Sequence, residues 1–308
     1  MLTSARADFV TACGAPAPPD GFNPRSRDRR RLPDPVPTTA DRRKGPTLNP
    51  TRRVPARALL AALALLAGAI PAAPRAAAAT PEELTDVDAK AEYGFFTADA
   101  RALGSLVAQS AALAASSQAL ERYQYAHAQF RLLQVAYHLQ KAKEVEAAAN
   151  ACLDTIEKAN EADPRFAEGL ALEAACAGYL GALGGLRGAS ARSRSESRLA
   201  AARELAPRNP RVLLVDGLTR WFRAGATAAD RAEARRAFEA ATRAFETVTD
   251  RAPGEPSWGE AEAWLFVGRA LEERGDLLGA RNAYEKSLLI APEFAAARRR
   301  VAALRGQR

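Results

Sequence analysis

The stretch AEAWLFVGRALEERGDLLGARNAYEKSLLIAPEF, Ala261 to Phe294, decides the fold class of this chain. Trp264 and Leu265 begin an apolar stripe with the spacing of one helix face. Gly275-Asp276 interrupts that pattern, and a second apolar stripe follows and ends at Pro292. The stretch therefore predicts two helices joined by a tight turn.

Small residues in this stretch indicate how the two helices meet. Gly268 and Ala280 would let the helices approach closely, and the bulky ring of Tyr284 would fill the space beside them. In length and in its pattern of small, aromatic and Pro positions, the stretch resembles one unit of the tetratricopeptide repeat (TPR) family. The resemblance implies an α-solenoid whose concave face binds other proteins.

Part of this pattern recurs earlier in the chain. In each case a bulky residue precedes a proline by eight positions, in the pairs Ile156/Pro164, Leu199/Pro207, Phe245/Pro253 and Tyr284/Pro292. Every interval between successive prolines in this series is longer than a standard TPR unit, so the central units are elongated. We expect the excess in loops at 184–190 and 223–230, with serines 190, 193, 195 and 197 in a polar loop, and at 256–260. The chain is predicted to be all-α, a TPR-like α-solenoid of antiparallel helix pairs with elongated central units, capped by a last helix from Ala295 to Arg305.

The distribution of charge argues against a nucleic-acid partner. The whole chain has a net charge of +8, but residues 1–79 hold 13 Lys+Arg and 5 Asp+Glu and account for all of it. Residues 80–308 hold 31 of each sign and are neutral overall. A folded part without excess positive charge lacks the basic surface that phosphate backbones require.

The segment 1–79 has the features of a leader. Residues 1–52 are rich in Pro and Arg and are predicted to be a disordered leader, which is not translated if the native start lies near Val54. Residues 53–79 read as a secretory signal peptide, with an apolar core from Ala58 to Ile70 followed by small residues. That core is too short for a stable membrane span. The folded domain is expected over 80–308, beginning with Thr80 as helix cap, in a periplasmic or secreted bacterial protein.

The polar residue types do not form a catalytic or metal-binding pattern. His127 and His138 are the only histidines, and on one helix they would lie roughly 16 Å apart, too far to share a metal ion. No motif with a nucleophile and a base stands out. We therefore expect neither an enzyme nor a cofactor. His127 belongs to a helical stripe with Tyr123, Phe130, Gln134 and Tyr137.

Cys152 and Cys176 are candidates for a disulfide. Pro164 lies midway between them in the sequence, so on two antiparallel helices joined there the two cysteines would sit at one level. An exported protein meets oxidising conditions. The alternative is two buried thiols in a tight, Ala-rich helix interface, because helix axes about 8–10 Å apart are marginal for a disulfide.

The exposed stripes of the first helices of the units are the predicted binding groove. TPR families that bind C-terminal carboxylates use Lys and Asn at these offsets, whereas the positions here are mostly Ala and Leu. An apolar groove is better suited to an amphipathic helix or a hydrophobic ligand. The alternative is that elongated loops cover these residues and make them core. The candidate groove residues are Tyr179, Leu214, Leu218, Trp221, Leu265 and Arg269.

Two functions follow from this interpretation. The first is an exported, non-catalytic scaffold that binds a partner protein through the apolar concave groove. The second rests on a resemblance in organisation to the TatT-type components of periplasmic TRAP transport systems, which implies a solute- or lipid-binding accessory to a transporter. Those TPR-like proteins are thought to help deliver small, often hydrophobic or organic-acid ligands. An open, continuous groove would favour the scaffold, and a pocket deep enough to enclose a small molecule would favour the accessory component.

Overall fold

The computed structural model describes residues 78–306 except Ala224. The predicted leader, and the predicted signal peptide up to residue 77, lie outside these described residues. Within the described part the chain is all-α, with eleven α-helices, one short 3₁₀ helix and no strand, which confirms the predicted fold class. None of the described helices combines the length and the apolar composition needed to cross a membrane.

The helices follow one another with short connections, apart from the longer loop 247–259 between α8 and α9. Their bounds are α1 Pro81–Phe96, α2 Ala100–Gln109, α3 Ala119–His138, α4 Ala142–Ala162, α5 Ala167–Ala182, α6 Gly185–Leu205, α7 Pro210–Trp221, α8 Ala228–Glu246, α9 Glu260–Glu273, α10 Leu277–Ile290 and α11 Ala295–Arg305, with the 3₁₀ helix at Ala111–Ala115.

Four helix pairs form the body of the fold. The pairs are α3/α4, α5/α6, α7/α8 and α9/α10, and the two helices of each pair pack most extensively against each other. Neighbouring pairs contact through α4 and α5, α5 and α7, and α8 and α9. Helices α1 and α2 pack on α3, and α11 packs on α10. This order of adjacent pairs is the arrangement of an α-solenoid.

Local sequence signals set most helix ends. Thr80 and Glu83 form a reciprocal capping box at the start of α1, with Pro81 in the first turn. Three of the four prolines that follow the pairs come two residues after the helix, as Pro292 does after α10. A proline cannot donate the backbone hydrogen bond that a continuing helix needs. Helix α8 differs because it ends at Glu246, seven residues before its proline.

The recurring bulky residue is a core residue in every pair. Tyr284 packs directly over Gly268. A Cβ added to that glycine would lie only 2.5 Å from the tyrosine ring. Phe238 and Gly217 make the same kind of contact between α8 and α7. Glycine removes the side chain that would keep two helices apart. The buried bulky residues are Ile156, Leu199, Phe245 and Tyr284, and none is more than 7% exposed.

The predicted loop at 184–190 is wrong. The connection consists only of Leu183 and Gly184, and the 21-residue helix α6 begins at Gly185; the two glycines have φ of +82° and +72°. Gly188 packs on the backbone carbonyl of Gly181, so the last turn of α5 and the first turn of α6 are in close contact. The serines predicted in a polar loop therefore lie on α6, where the hydroxyl of Ser195 donates to the carbonyl of Ala174 at 2.7 Å. The extra length of this unit is helical.

The loop between α8 and α9 connects the C-terminal half of the chain to its first helices. The indole Nε1 of buried Trp258 donates to the hydroxyl of Tyr123 at 2.6 Å. The Gln124 side chain donates to the carbonyl of Gly254 at 2.8 Å, and the amide of Gly254 donates to Thr85 Oγ1 at 2.7 Å. The extra residues of this unit thus hold the α8–α9 loop against α1 and α3.

The two ends of the described chain also meet. Phe95 and Phe96, at the end of α1, pack against Phe294, which immediately precedes α11. The ring centroids of Phe96 and Phe294 are 4.8 Å apart. An open solenoid would leave its first and last units apart, whereas here aromatic contacts join them. The concave side is consequently bounded by helices from both ends of the chain.

Cys152 and Cys176 are joined by a disulfide in the structure, with their Cα atoms 6.4 Å apart. Cys152 lies on α4 and Cys176 on α5, and both are fully buried. The bond therefore links two neighbouring helix pairs.

Candidate ligand-binding cavity

The concave side of the solenoid contains a cavity of about 530 Å³. It is lined mainly by the first helices of the four pairs, α3, α5, α7 and α9, together with the end of α1, the middle of α6 and the start of α11. This volume lies within the ~300–1,000 Å³ of typical small-molecule sites. We call its buried and half-buried lining residues the wall and its exposed lining residues the rim.

The wall is mostly aromatic and aliphatic. The ring of half-buried Tyr179 on α5 meets the rings of Phe130 and Tyr137 on α3 edge-on, with centroids 5.9 and 5.3 Å apart. On the α7–α9 side Phe222 meets Phe266 edge-on at 5.8 Å. These contacts hold the rings in fixed orientations. The cavity therefore offers a preformed apolar surface.

The rim carries more positive than negative charge. Arg192, Arg223 and Arg299 are exposed lining residues, with Glu196 as the acidic one. Arg192 donates to the carbonyl of Gly181 at 2.8 Å, which keeps its guanidinium beside the opening. Arg223 also pairs with the Asp230 carboxylate at 3.4 Å, but guanidinium groups at the edge of an apolar cavity still favour an anionic group on the ligand.

His138 adds a neutral imidazole to this side of the cavity. Burial, followed by the charges of Arg299 and Arg269, lowers the pKa of His138 to about 4. A buried histidine near cations stays uncharged at neutral pH, because burial disfavours its charged form and the neighbouring positive charges add to that effect. The low pKa thus reflects mainly the burial of the imidazole, with a smaller contribution from the two nearby arginines.

A buried guanidinium lies behind the wall. Arg131 on α3 is 0% exposed, and its charge is paired with Glu92 on α1 and Glu262 on α9 at 2.6 Å each. Glu262 lines the cavity, so the ion pairs reach its wall. These carboxylates outweigh the effect of burial and raise the pKa of Arg131 above its usual value. The contacts tie the first helix, the third helix and the last pair together.

His127 extends this group towards α1. Its Nδ1 lies 3.2 Å from an Asp88 carboxylate oxygen and its Nε2 lies 3.2 Å from a Glu92 oxygen. Burial would lower the pKa of His127, but its contacts with the two carboxylates outweigh burial and raise it. Burial would likewise raise the pKa of Asp88, yet His127 and Ser257 hold it below its usual value. We call Asp88, Glu92, His127, Arg131 and Glu262 the buried charge cluster.

Three of the six predicted groove residues line the cavity. Tyr179, Leu218 and Leu265 belong to its lining, contributed by α5, α7 and α9 respectively. They come together because the first helices of successive pairs face the same side, as the solenoid arrangement requires.

The other three predicted groove residues lie elsewhere. Leu214 is fully buried beside Gly259, where the α8–α9 loop ends, and Trp221 is 3% exposed against Phe238. Arg269 is half-buried with its guanidinium 5.6 Å from the Trp221 ring centroid. Leu214 and Trp221 are therefore core residues and not groove residues, because the loop and α8 pack over them.

Several important residues of the site did not stand out in the sequence. One indication of the buried charge cluster was present in the sequence. Arg131 and Glu262 are charged residues on helices that otherwise supply apolar wall residues. Gln134 was visible as a polar member of an apolar stripe, but its partners were not. The contribution of Phe95 and Phe96 depends on α1 meeting the other end of the chain, which no local pattern indicates.

The clustered acidic and histidine side chains do not form a metal site. No group of three or more His, Cys, Asp or Glu residues within 78–306, Ala224 aside, is arranged to hold a metal ion. Neither the comparison with family models nor that with curated proteins gave a match to this chain.

Proposed function

We propose that this protein binds a small amphipathic anion in the cavity and acts as a periplasmic solute- or lipid-binding accessory component of a TRAP-type transporter. The observation that carries the proposal is the combination of a partly enclosed apolar wall with three arginines on the rim. The wall takes the apolar part of the ligand, and the rim takes its acidic group. No step of this function requires bond chemistry.

The role of a protein-binding scaffold has weaker support. The α-solenoid architecture suits it, but two of the residues expected to form its apolar groove, Leu214 and Trp221, are buried in the core. The concave side offers a partner helix a cavity that is bounded by helices from both ends of the described chain, and not a long open groove. We therefore favour the small-ligand function.

Calorimetric titration of the purified protein with dodecanoate and with dodecylammonium tests this proposal. We expect dodecanoate to bind and dodecylammonium to bind at least about tenfold more weakly, because the rim arginines attract one head group and repel the other. Native mass spectrometry of protein purified from its native cells, with crosslinking to capture partners, is the complementary measurement. A tightly bound partner protein together with an empty cavity would contradict the proposal.

A matched pair of glycine variants controls for the place of binding. Gly178 lies on α5 in the cavity lining, and a Cβ there would meet only Ser195 Oγ at 3.5 Å. Gly178→Phe should fill part of the cavity and remove dodecanoate binding. Gly104 on α2 is outside the lining and has open space around it, so Gly104→Phe should leave binding unchanged. Equal loss in both variants would place the binding elsewhere.

A further inference from the structure

Gln134 is the amide side chain in the cavity wall. It lies on α3, is 4% exposed and sits three residues after Arg131, on the same face of the helix. A carboxamide has a donor end and an acceptor end, and which end faces the cavity decides what it recognises. The surroundings of Gln134 settle that orientation.

Arg131 holds the oxygen of Gln134. Arg131 Nη1 donates to Gln134 Oε1 at 2.6 Å, and a guanidinium has no acceptor that could take the amide N–H instead. The remaining guanidinium bonds, from Nε, Nη1 and Nη2, go to Glu92 and Glu262 at 2.6–2.9 Å. These five hydrogen bonds match the five donors of an arginine. Arg131 thus orients the side chain of Gln134 and has no donor left to bind a ligand itself.

The amide nitrogen of Gln134 is consequently the end that is left for recognition. Its Nε2 donates to the hydroxyl of Tyr179 at 3.4 Å, which is long for a hydrogen bond. Gln134 and Tyr179 both line the cavity. An N–H donor beside an apolar wall is costly unless an acceptor meets it, so a ligand with an oxygen at this point gains affinity.

The charge behind Gln134 selects a neutral acceptor. The buried charge cluster has the three carboxylates of Asp88, Glu92 and Glu262 against the cation Arg131 and one histidine, His127, so its net charge is negative in either protonation state of the histidine. A second carboxylate placed beside this cluster would be repelled in a medium of low dielectric constant. A ketone or ester carbonyl accepts the same hydrogen bond without that repulsion.

We propose that Gln134 determines specificity by donating a hydrogen bond to a neutral carbonyl oxygen within the apolar part of the ligand. The ligand class is therefore an oxo- or acyl-substituted amphipathic acid, with its acidic group at the arginine rim and its carbonyl at the wall. The inference rests on the proposed function, because it requires that the cavity binds an amphipathic anion. It adds the chemical group that distinguishes one such ligand from another.

The test compares dodecanoate with its mono-oxo derivatives, the ketone being placed at each carbon from the sixth to the eleventh. Calorimetric titration should show at least one derivative binding about fivefold more tightly than dodecanoate, the gain expected from one added hydrogen bond. Gln134→Leu removes the donor and should bring that ratio close to one. Gln129→Leu is the matched control, because Gln129 is a buried glutamine of α3 outside the cavity lining, and it should retain the ratio.

A second variant separates recognition from folding. Gln134→Glu keeps an oxygen on Arg131 but replaces the amide N–H with a carboxylate oxygen, so the carbonyl preference should again disappear while the ion pairs remain. If dodecanoate binds the wild type but no oxo derivative is preferred, or if the preference persists in both variants, the inference is overturned and the proposed function stands. If none of these acids binds the wild-type protein, the inference and the proposed function both fail.

Discussion

Replacing Arg131 by Met tests whether the buried charge cluster holds the fold together. The substitution retains an unbranched apolar stem but removes all five guanidinium hydrogen bonds. Glu92 and Glu262, which are 8% and 3% exposed, would then be two buried carboxylates without a cation between them. Breaking a buried ion pair by removing one partner costs about 3–5 kcal/mol, so we expect a loss of that size in the free energy of unfolding.

Urea denaturation followed by far-ultraviolet circular dichroism measures this loss. The cost should be smaller at about pH 4.5 than at about pH 7.5, because carboxylates without their cation take up protons more readily. Lys90→Met is the control, since Lys90 pairs with Asp86 at the surface with both side chains 58% exposed, and such pairs contribute about 0–1 kcal/mol. A loss below about 1 kcal/mol for Arg131→Met, or an equal loss at both pH values, would refute the reasoning.

The cluster's histidine, the disulfide and one helix contact give further predictions. Because the pKa of His127 is raised, its contribution to stability is full below its unfolded pKa of about 6.5 and is lost as the pH rises through the folded value. His127→Gln should therefore make the free energy of unfolding decline less steeply over this pH range, which a series of urea titrations would measure. Reducing the bond between Cys152 and Cys176, which are 24 residues apart, should lower the free energy of unfolding by about 3.5 kcal/mol, and an unchanged midpoint with reductant would contradict this. Gly268→Ala should lower the free energy of unfolding by about 1–3 kcal/mol, because its Cβ would press against the ring of Tyr284. Gly104→Ala has open space around the new Cβ and should stabilise α2 by about 0.5–1 kcal/mol. Thermal melts should show a lower melting temperature for the first variant and a higher one for the second.

Helices and their pairing could be predicted because their determinants are close in sequence. The last helix has the predicted bounds Ala295–Arg305, and the cap at Thr80 begins α1 as expected. A helix face repeats every three to four residues, and Gly268 meets Tyr284 across a single turn between adjacent helices. The glycine-rich sequence of 184–190 predicts a loop because glycine has low helix propensity, whereas close packing on α5 keeps residues 185–190 helical.

The candidate site was only partly predictable, because its residues are brought together by contacts between parts of the chain that are far apart in the sequence. Tyr179, Leu218 and Leu265 were found because each lies on the repeating inner face of a first helix. Leu214 and Trp221 satisfy the same periodicity, yet a loop and a neighbouring helix cover them. Periodicity identifies an apolar face but does not say whether protein or ligand covers it.

By itself the sequence determined that the described residues form pairs of α-helices, that Gly268 and Tyr284 meet within the last pair, and that residues 80–308 are neutral overall whereas residues 1–79 are basic. Only the tertiary structure decided that the two ends of the described chain meet, that they bound a cavity, and that Arg131 lies between Glu92 and Glu262. The last of these pairs joins residues 131 positions apart. The physical reason is that a buried charge needs a partner of opposite sign, but this requirement specifies only the partner's chemistry and not its place in the chain.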